Sequence, residues 1–281
     1  MTTNQSIIWF TAHKCASVYA TEILHKLAQD LLMTHVNYEG DLWEVGQSFM
    51  KFFTEKNFDV CTITNHIYGP FRQYYSIPEL EEYKVILMLR DPRDLLTSLY
   101  FSTAYSHSIP ESQKTEMESA RENAIMKSID DFVIEHSPWV RETYNLYAKY
   151  FLGKKNVLFL KYEDMVTDFP TWLNEIFKHL QMTPSEQLVK ELIDGAVFEV
   201  TEDIYAHKRQ VKAGDHRRKL QVNTIKQLNF QFQDILEIYG WLTKKSQAEK
   251  ELFELTLERA RSRLDNFQLL LLQQSQQDIS A

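Results

Sequence analysis

Four short runs of the chain are rich in β-branched and aliphatic residues: "IIWFT" at 7 to 11, "VCTIT" at 60 to 64, "KVILML" at 84 to 89 and "NVLFLKY" at 156 to 162. Their length and their content of β-branched and aliphatic residues predict buried strands. Between them, apolar positions recur every three or four residues. That spacing predicts helices at about 17 to 33, 92 to 106, 116 to 135, 138 to 151, 169 to 181, 185 to 195, 223 to 239 and 246 to 273. Ser137 as a cap and Pro138 at a first helical position predict a break near 137. Strands alternating with helices imply an α/β fold, a central parallel sheet flanked by helices on both faces.

No internal repeat and no Pro- or Ser-rich linker divides the sequence, so residues 1–281 are expected to form one domain. The end of the chain differs in pattern. From 246 to 281, Phe253, Leu257, Ala260, Leu264, Phe267 and Leu271 make an amphipathic stripe that runs into a glutamine-rich tail. Packing on its own domain, docking or homodimer formation, and service as a linker all remain open for it.

Composition narrows the function class. No stretch reaches the roughly 18 to 20 apolar residues of a membrane span, and "MTTNQSIIWF" lacks the basic start and cleavage site of a secretory signal, so a cytoplasmic protein is expected. Two cysteines, Cys15 and Cys61, suggest neither a disulfide framework nor a zinc site. The formal net charge of −8 argues against nucleic acid as a partner. Against that acidic background, "HKRQVKAGDHRRKL" at 207 to 220 is a basic island, which suggests one specific anion.

Two strand ends carry candidate chemistry. "IIWFT" leads through "AHKC" into a helix, and a helix start presents unpartnered N–H groups to an anion, with Lys14 aimed at it. The phosphate-loop pattern G-x-x-x-x-G-K-[ST] is absent. "VILML" ends in Arg90, where an ATP-dependent kinase usually has a magnesium-binding aspartate. Asp91 as N-cap and Pro92 at the first helical position specify the next turn, and Ser98, two turns on, shares its face. A guanidinium and a hydroxyl can thus converge on one phosphate.

These residues resemble the P-loop sulfotransferases that use 3′-phosphoadenosine 5′-phosphosulfate (PAPS) and release 3′,5′-adenosine bisphosphate (PAP). Four motifs carry the resemblance in the expected order. "TAHKCASVY" is similar to the 5′-phosphosulfate loop, which implies cofactor contacts from Lys14, Cys15, Ala16, Ser17, Val18 and Tyr19. "LRDPRDLLTSLYF" resembles the 3′-phosphate motif and implies Arg90 and Ser98. "FLKYEDM" resembles the strand that brings a tyrosine, here Tyr162, to the adenine. "RQVKAGDHRRKL" resembles the basic loop over the 3′-phosphate and implies Arg209, Gln210 and Val211. The sequence departs from the family at Ala16, where a loop glycine is usual, at Val18 and Tyr19, and at Gln210 and Val211, which replace Lys-Gly.

The resemblance implies a P-loop-like sulfotransferase fold and sulfuryl transfer to an acceptor hydroxyl. Lys14 would neutralise the leaving phosphate oxygen, and no metal would be needed. His66 stands at a position similar to the family's catalytic base, with His13 as the alternative. Cys15 reads as a small loop side chain rather than a nucleophile. "YGPFRQYYSIP" with Trp43, Phe49, Phe52 and Phe53 suggests an aromatic entrance and a small hydrophobic acceptor, lipid-like or acyl, over a polyanion. The rival readings are the kinase and a non-catalytic binding module on the same fold.

Overall fold

The computed structural model describes residues 4–47, 61–196, 198, 201–206 and 209–242. The chain divides into two compact units, Met1–Ile235 and Leu236–Ala281, and the sheet belongs to the first. The expected amphipathic segment from 246 onward and the aromatics Phe49, Phe52 and Phe53 lie outside the described residues.

Five strands form one parallel sheet: β1 (Ile7–Thr11), β2 (Thr34–Val36), β3 (His66–Phe71), β4 (Lys84–Leu89) and β5 (Val157–Lys161), in the order β2-β3-β1-β4-β5. Among the described residues the α-helices are α1 (Ser17–Leu31), α2 (Tyr38–Glu44), α3 (Pro92–Phe101), α4 (Lys114–Ile125), α5 (Ile129–Phe151), α6 (Tyr162–Thr167), α7 (Phe169–Leu180), α8 (Glu186–Asp194), α9 (His216–Lys219), α10 (Val222–Gln231) and α11 (Gln233–Ile238). Strand residues alternate between two buried faces, as a period of two requires. Ile7, Trp9, Ile86 and Met88 pack with α1, α7 and α8. Phe10, on the opposite face, meets Phe151 of α5 at 4.7 Å. Covered on both sides, β1 and β4 read as nearly continuous apolar runs, which is why the centre of the sheet is legible in the sequence.

The details differ in four places. The run at 60 to 64 is not a strand: of its described residues only Thr64 makes an isolated bridge, to Gln5, and the strand beside β1 is His66–Phe71. This strand is hidden in the sequence because it contains Gly69 and Pro70, residues that usually interrupt strands. Gly69 is required there, since a Cβ would come within 2.5 Å of the Trp9 carbonyl oxygen at a φ of +109°. β2 and α2 are additional elements that the sequence pattern does not announce.

The helix break also moves. α5 starts after Ser128, whose hydroxyl caps Asp131 N–H, and runs straight through Pro138. Proline removes the N–H that would bond the Ile134 carbonyl, but Ser137 Oγ donates to that carbonyl at 2.8 Å in its place. Gln231 Oε1 is a second acceptor for the same hydroxyl, also at 2.8 Å. The expected single helix at 92 to 106 ends at Phe101 and continues as a wider π turn over Ser102–Ser106.

Candidate active site

In an open parallel sheet, ligands bind beyond the carboxyl ends of the strands, where the strand order reverses. Here that point falls between β1 and β4, because the chain fills one side of β1 with β2 and β3 before crossing to β4 and β5. β1 delivers the loop from Ala12 to Ala16, and β4 delivers Arg90.

The β1 loop turns tightly. Lys14 and Ala16 both adopt the left-handed region, at φ +62° and +57°. Alternating left-handed backbone makes a concavity of N–H groups that suits an anion. No side chain caps α1 at Ala16, so its first-turn N–H groups are left for a ligand. Lys14 Nζ donates to Ser102 Oγ at 2.8 Å. Burial, then the charges of Arg90 and Arg72, lower the Lys14 pKa to about 8. Cys15 is fully buried beneath the loop, and burial pushes its thiol up to about 12. It is a packing residue, and no thiolate is available at neutral pH.

Arg90 is buried, stacks 4.4 Å above the Tyr162 ring, and donates to the carbonyls of Lys14 and Lys212 at 3.3 and 3.4 Å. One guanidinium thus ties together the β1 loop, the aromatic residue after β5 and the basic loop. That basic loop is fastened to α3 by Asp94, which is fully buried and accepts from Gly214 N at 2.6 Å, His216 N at 2.9 Å and the His216 ring at 2.5 Å. Burial alone would raise the Asp94 pKa, but the His216 bond and the Arg90 charge hold it near 2. Arg209 pairs with Asp215 and Glu202 and lies 4.2 Å over the Phe101 ring.

A cavity of about 260 Å³ opens between these elements. Lys14, Ala16, Ser17, Val18, Tyr19, Arg90, Ser98, Tyr162, Arg209, Gln210 and Val211 all line it, so of the cofactor residues expected from sequence only Cys15 lies behind the wall. Glu22, Phe101, Ser102, Met165 and Phe198 also line it, and no sequence motif singles them out. Three buried polar atoms among the lining residues have no hydrogen-bond partner: Arg90 Nε, Gln210 Nε2 and Tyr19 Oη. Gln210 Oε1 accepts from Arg218 Nη2 at 2.9 Å, while the Gln210 amide N–H₂ has no partner. Unsatisfied donors beside Lys14 and Arg209 fit a polyanionic, hydrogen-bonding guest. Among the described residues no three His, Cys, Asp or Glu side chains come together as metal ligands, and no helix is long and apolar enough to cross a membrane.

The two histidines expected near the chemistry separate. His66 is the first residue of β3 and pairs with Thr34, which puts it at the amino edge of the sheet. Five residues of strand, about 17 Å, lie between it and the end of β3 where the site begins. There its ring stacks on Tyr68, and its Nδ1 meets the Thr64 carbonyl at 2.8 Å. A strand at 60 to 64 would place it on a carboxyl end, and the true strand reverses that. His13 adjoins Lys14 in the β1 loop, behind the residues that line the cavity. Burial, then Arg72, Lys14 and His107, lower its pKa to about 4, so the ring is neutral at pH 7. Trp139 is 5.7 Å from His13, and Trp43 is 5.7 Å from His107.

A cavity at the switch point of a parallel sheet, lined by lysine and arginine from two strand ends, suits an anionic guest. The sequence pattern of the sulfotransferase domain matches residues 71–245, and the chain belongs to that family; it is a sulfotransferase. The matched span holds Arg90, Ser98, Tyr162 and Arg209, while Lys14 precedes it.

The fold is similar to that of mouse sulfotransferase SULT7A1 complexed with PAP, at 15% identity over 89% of this chain and 88% of that one, with a TM-score of 0.58. Retinol dehydratase in complex with androsterone and the inactive cofactor PAP aligns at 14% identity over 83% of this chain and 80% of that one, with a TM-score of 0.48. No curated protein sequence matches the chain.

Proposed function

We propose that this sulfotransferase moves a sulfuryl group from PAPS to the hydroxyl of a small hydrophobic acceptor. The observation that carries the reading is a cavity in which Lys14, Ser17, Arg90, Ser98, Tyr162 and Arg209 converge from separate segments of the chain. PAPS supplies the transferable sulfuryl group and a phosphate leaving group. Lys14 and the first-turn N–H groups of α1 neutralise the charge that grows on the leaving oxygen. Arg90, Ser98 and Arg209 hold the 3′-phosphate, and Tyr162 and Tyr19 flank the base. No step calls for a metal.

His13 takes the acceptor proton in this reading. It is neutral at pH 7, adjoins Lys14 and sits beside the partly exposed Trp139. Bound donor phosphates add negative charge beside it, which raises its pKa toward the range useful for taking a hydroxyl proton. The rings of Trp43, His107 and Trp139 support an apolar acceptor, because they gather aromatic surface on the His13 side of the loop.

A thermal-shift titration tests the donor. PAP at a hundredfold over its dissociation constant should add about 2.7 kcal/mol to stability, a shift of several degrees. Stabilisation by PAP and not by ADP with Mg²⁺ supports the reading. The reverse selectivity would make the donor site that of a kinase, and no shift with either would leave a binding module.

A further inference from the structure

We propose that Arg72 is a positioning residue of the transfer centre, which holds the Ser17 hydroxyl oxygen so that the Ser17 proton points into the cavity at the seat of the 5′-phosphate. The proposal rests on the PAPS reading above and adds to it a residue outside the four motifs.

Arg72 is the first residue past β3, at the carboxyl edge of the sheet. Its Nε donates to Ser17 Oγ at 3.0 Å. It is set in place by Glu39 of α2, whose Oε1 takes the Arg72 backbone N–H at 2.8 Å and the Tyr75 hydroxyl at 3.2 Å, while Oε2 faces Arg72 Nη1 at 3.4 Å. The Glu39 side chain is only 9% exposed, so this is a sheltered pair and not a solvated one. α2 and the end of β3 are thereby clamped onto the phosphate loop.

The consequence follows from hydroxyl chemistry. A serine oxygen accepts through its lone pairs and has one proton to give. With Arg72 occupying a lone pair from behind, and Ser17 on the cavity wall, the proton is free to donate toward the cavity. A charged donor also makes that proton more acidic and its bond to a phosphate stronger. The other charged and titratable groups facing Arg72 are Glu39 and Tyr75, with Lys14, His13 and His107 across the loop. Burial is the largest cause that lowers the pKa of all three of the latter, and the Arg72 charge adds to it.

A double-mutant cycle read by calorimetry tests this, with PAP and with 3′-AMP, which lacks the 5′-phosphate. Arg72→Met should weaken PAP about tenfold and leave 3′-AMP within twofold, and Ser17→Ala should do the same. The double variant should be no weaker than Ser17→Ala alone, because Arg72 acts through Ser17. Fully additive losses, or equal losses for PAP and 3′-AMP, would overturn the proposal, the second by showing that the clamp merely loosens the fold. If Arg72→Met does not fold, Arg72→Lys keeps a charge opposite Glu39 but cannot serve Glu39 and Ser17 at once, and the same split between ligands is expected. Wild-type protein that binds PAP no better than 3′-AMP would sink the PAPS reading itself, whereas normal wild-type binding with unaffected Arg72 variants would sink only the role of Arg72.

Discussion

Asp94 Oδ1 lies 2.5 Å from the His216 ring nitrogen, 122 residues along the chain, and this contact joins the helix that carries Ser98 to the loop that carries Arg209. Two walls of one cavity are held in register by a single buried carboxylate. Because its pKa is depressed to about 2 from 3.8, the stability Asp94 contributes is full above pH 4 and is lost as pH falls through 2. The shift corresponds to about 2 kcal/mol. Asp94→Asn should therefore lose at least that much at pH 7, flatten the acid limb of denaturant stability and weaken PAP. A variant that keeps wild-type stability from pH 7 to pH 3 would show that the contact contributes little.

Lys14 titrates in the working range, and that gives binding a pH signature. The free site holds a charged lysine below about pH 8 and a neutral one above it, and anionic phosphate favours the charged form. PAP affinity should be level from about pH 6.5 to 7.5 and fall toward tenfold per pH unit above 8. Lys14→Met should bind more weakly at pH 7 and lack that fall. Calorimetry at pH 7, 8 and 9 on both proteins decides it.

The two histidines make opposite predictions. His13→Ala should lower kcat by about a hundredfold or more, the range for removing a general base, while PAP binding changes little. His66→Ala should keep near-wild-type turnover, since its ring is at the far edge of the sheet. Steady-state rates with a fixed acceptor separate them, and a silent His13→Ala would remove it from the chemistry.

Ala16 sits at φ +57°, a conformation that costs a side-chain-bearing residue about 1 kcal/mol. Ala16→Gly should relieve that and stabilise the protein by about 0.5 to 1 kcal/mol, or about 1 to 2 °C in Tm. The gain is bounded by the extra freedom glycine brings to the unfolded chain. A lower Tm would mean that the methyl group's packing outweighs the backbone strain.

The legible parts of the fold and site share a cause. β1 and β4 are covered on both faces, so their residues must be apolar nearly throughout, and the strand-to-helix turns after them need particular residues at fixed offsets: Lys14, Arg90, Asp91 and Pro92. Local requirements of that kind leave local patterns. β3 left none, because its Gly69 and Pro70 meet a tertiary demand, the close approach of the Trp9 carbonyl, that no local pattern encodes. The misplaced strand then carried His66 to the wrong end of the sheet. Pro138 misled in the same way, since the Ser137 hydroxyl that rescues its helix looks from sequence like a cap.

By itself the sequence determined the parallel α/β class, the two strand ends that meet at the cavity and the eleven wall residues its motifs named. Periodicity and turn chemistry act over a few residues and are written out in order along the chain. Only the tertiary structure decided that His66 opens β3 at the amino edge of the sheet, that Arg72 and Glu39 brace Ser17, and that Asp94 fastens the Arg209 loop. Those contacts join residues 33 to 122 positions apart, and a pairing over that distance depends on strand order and packing, which single positions do not carry.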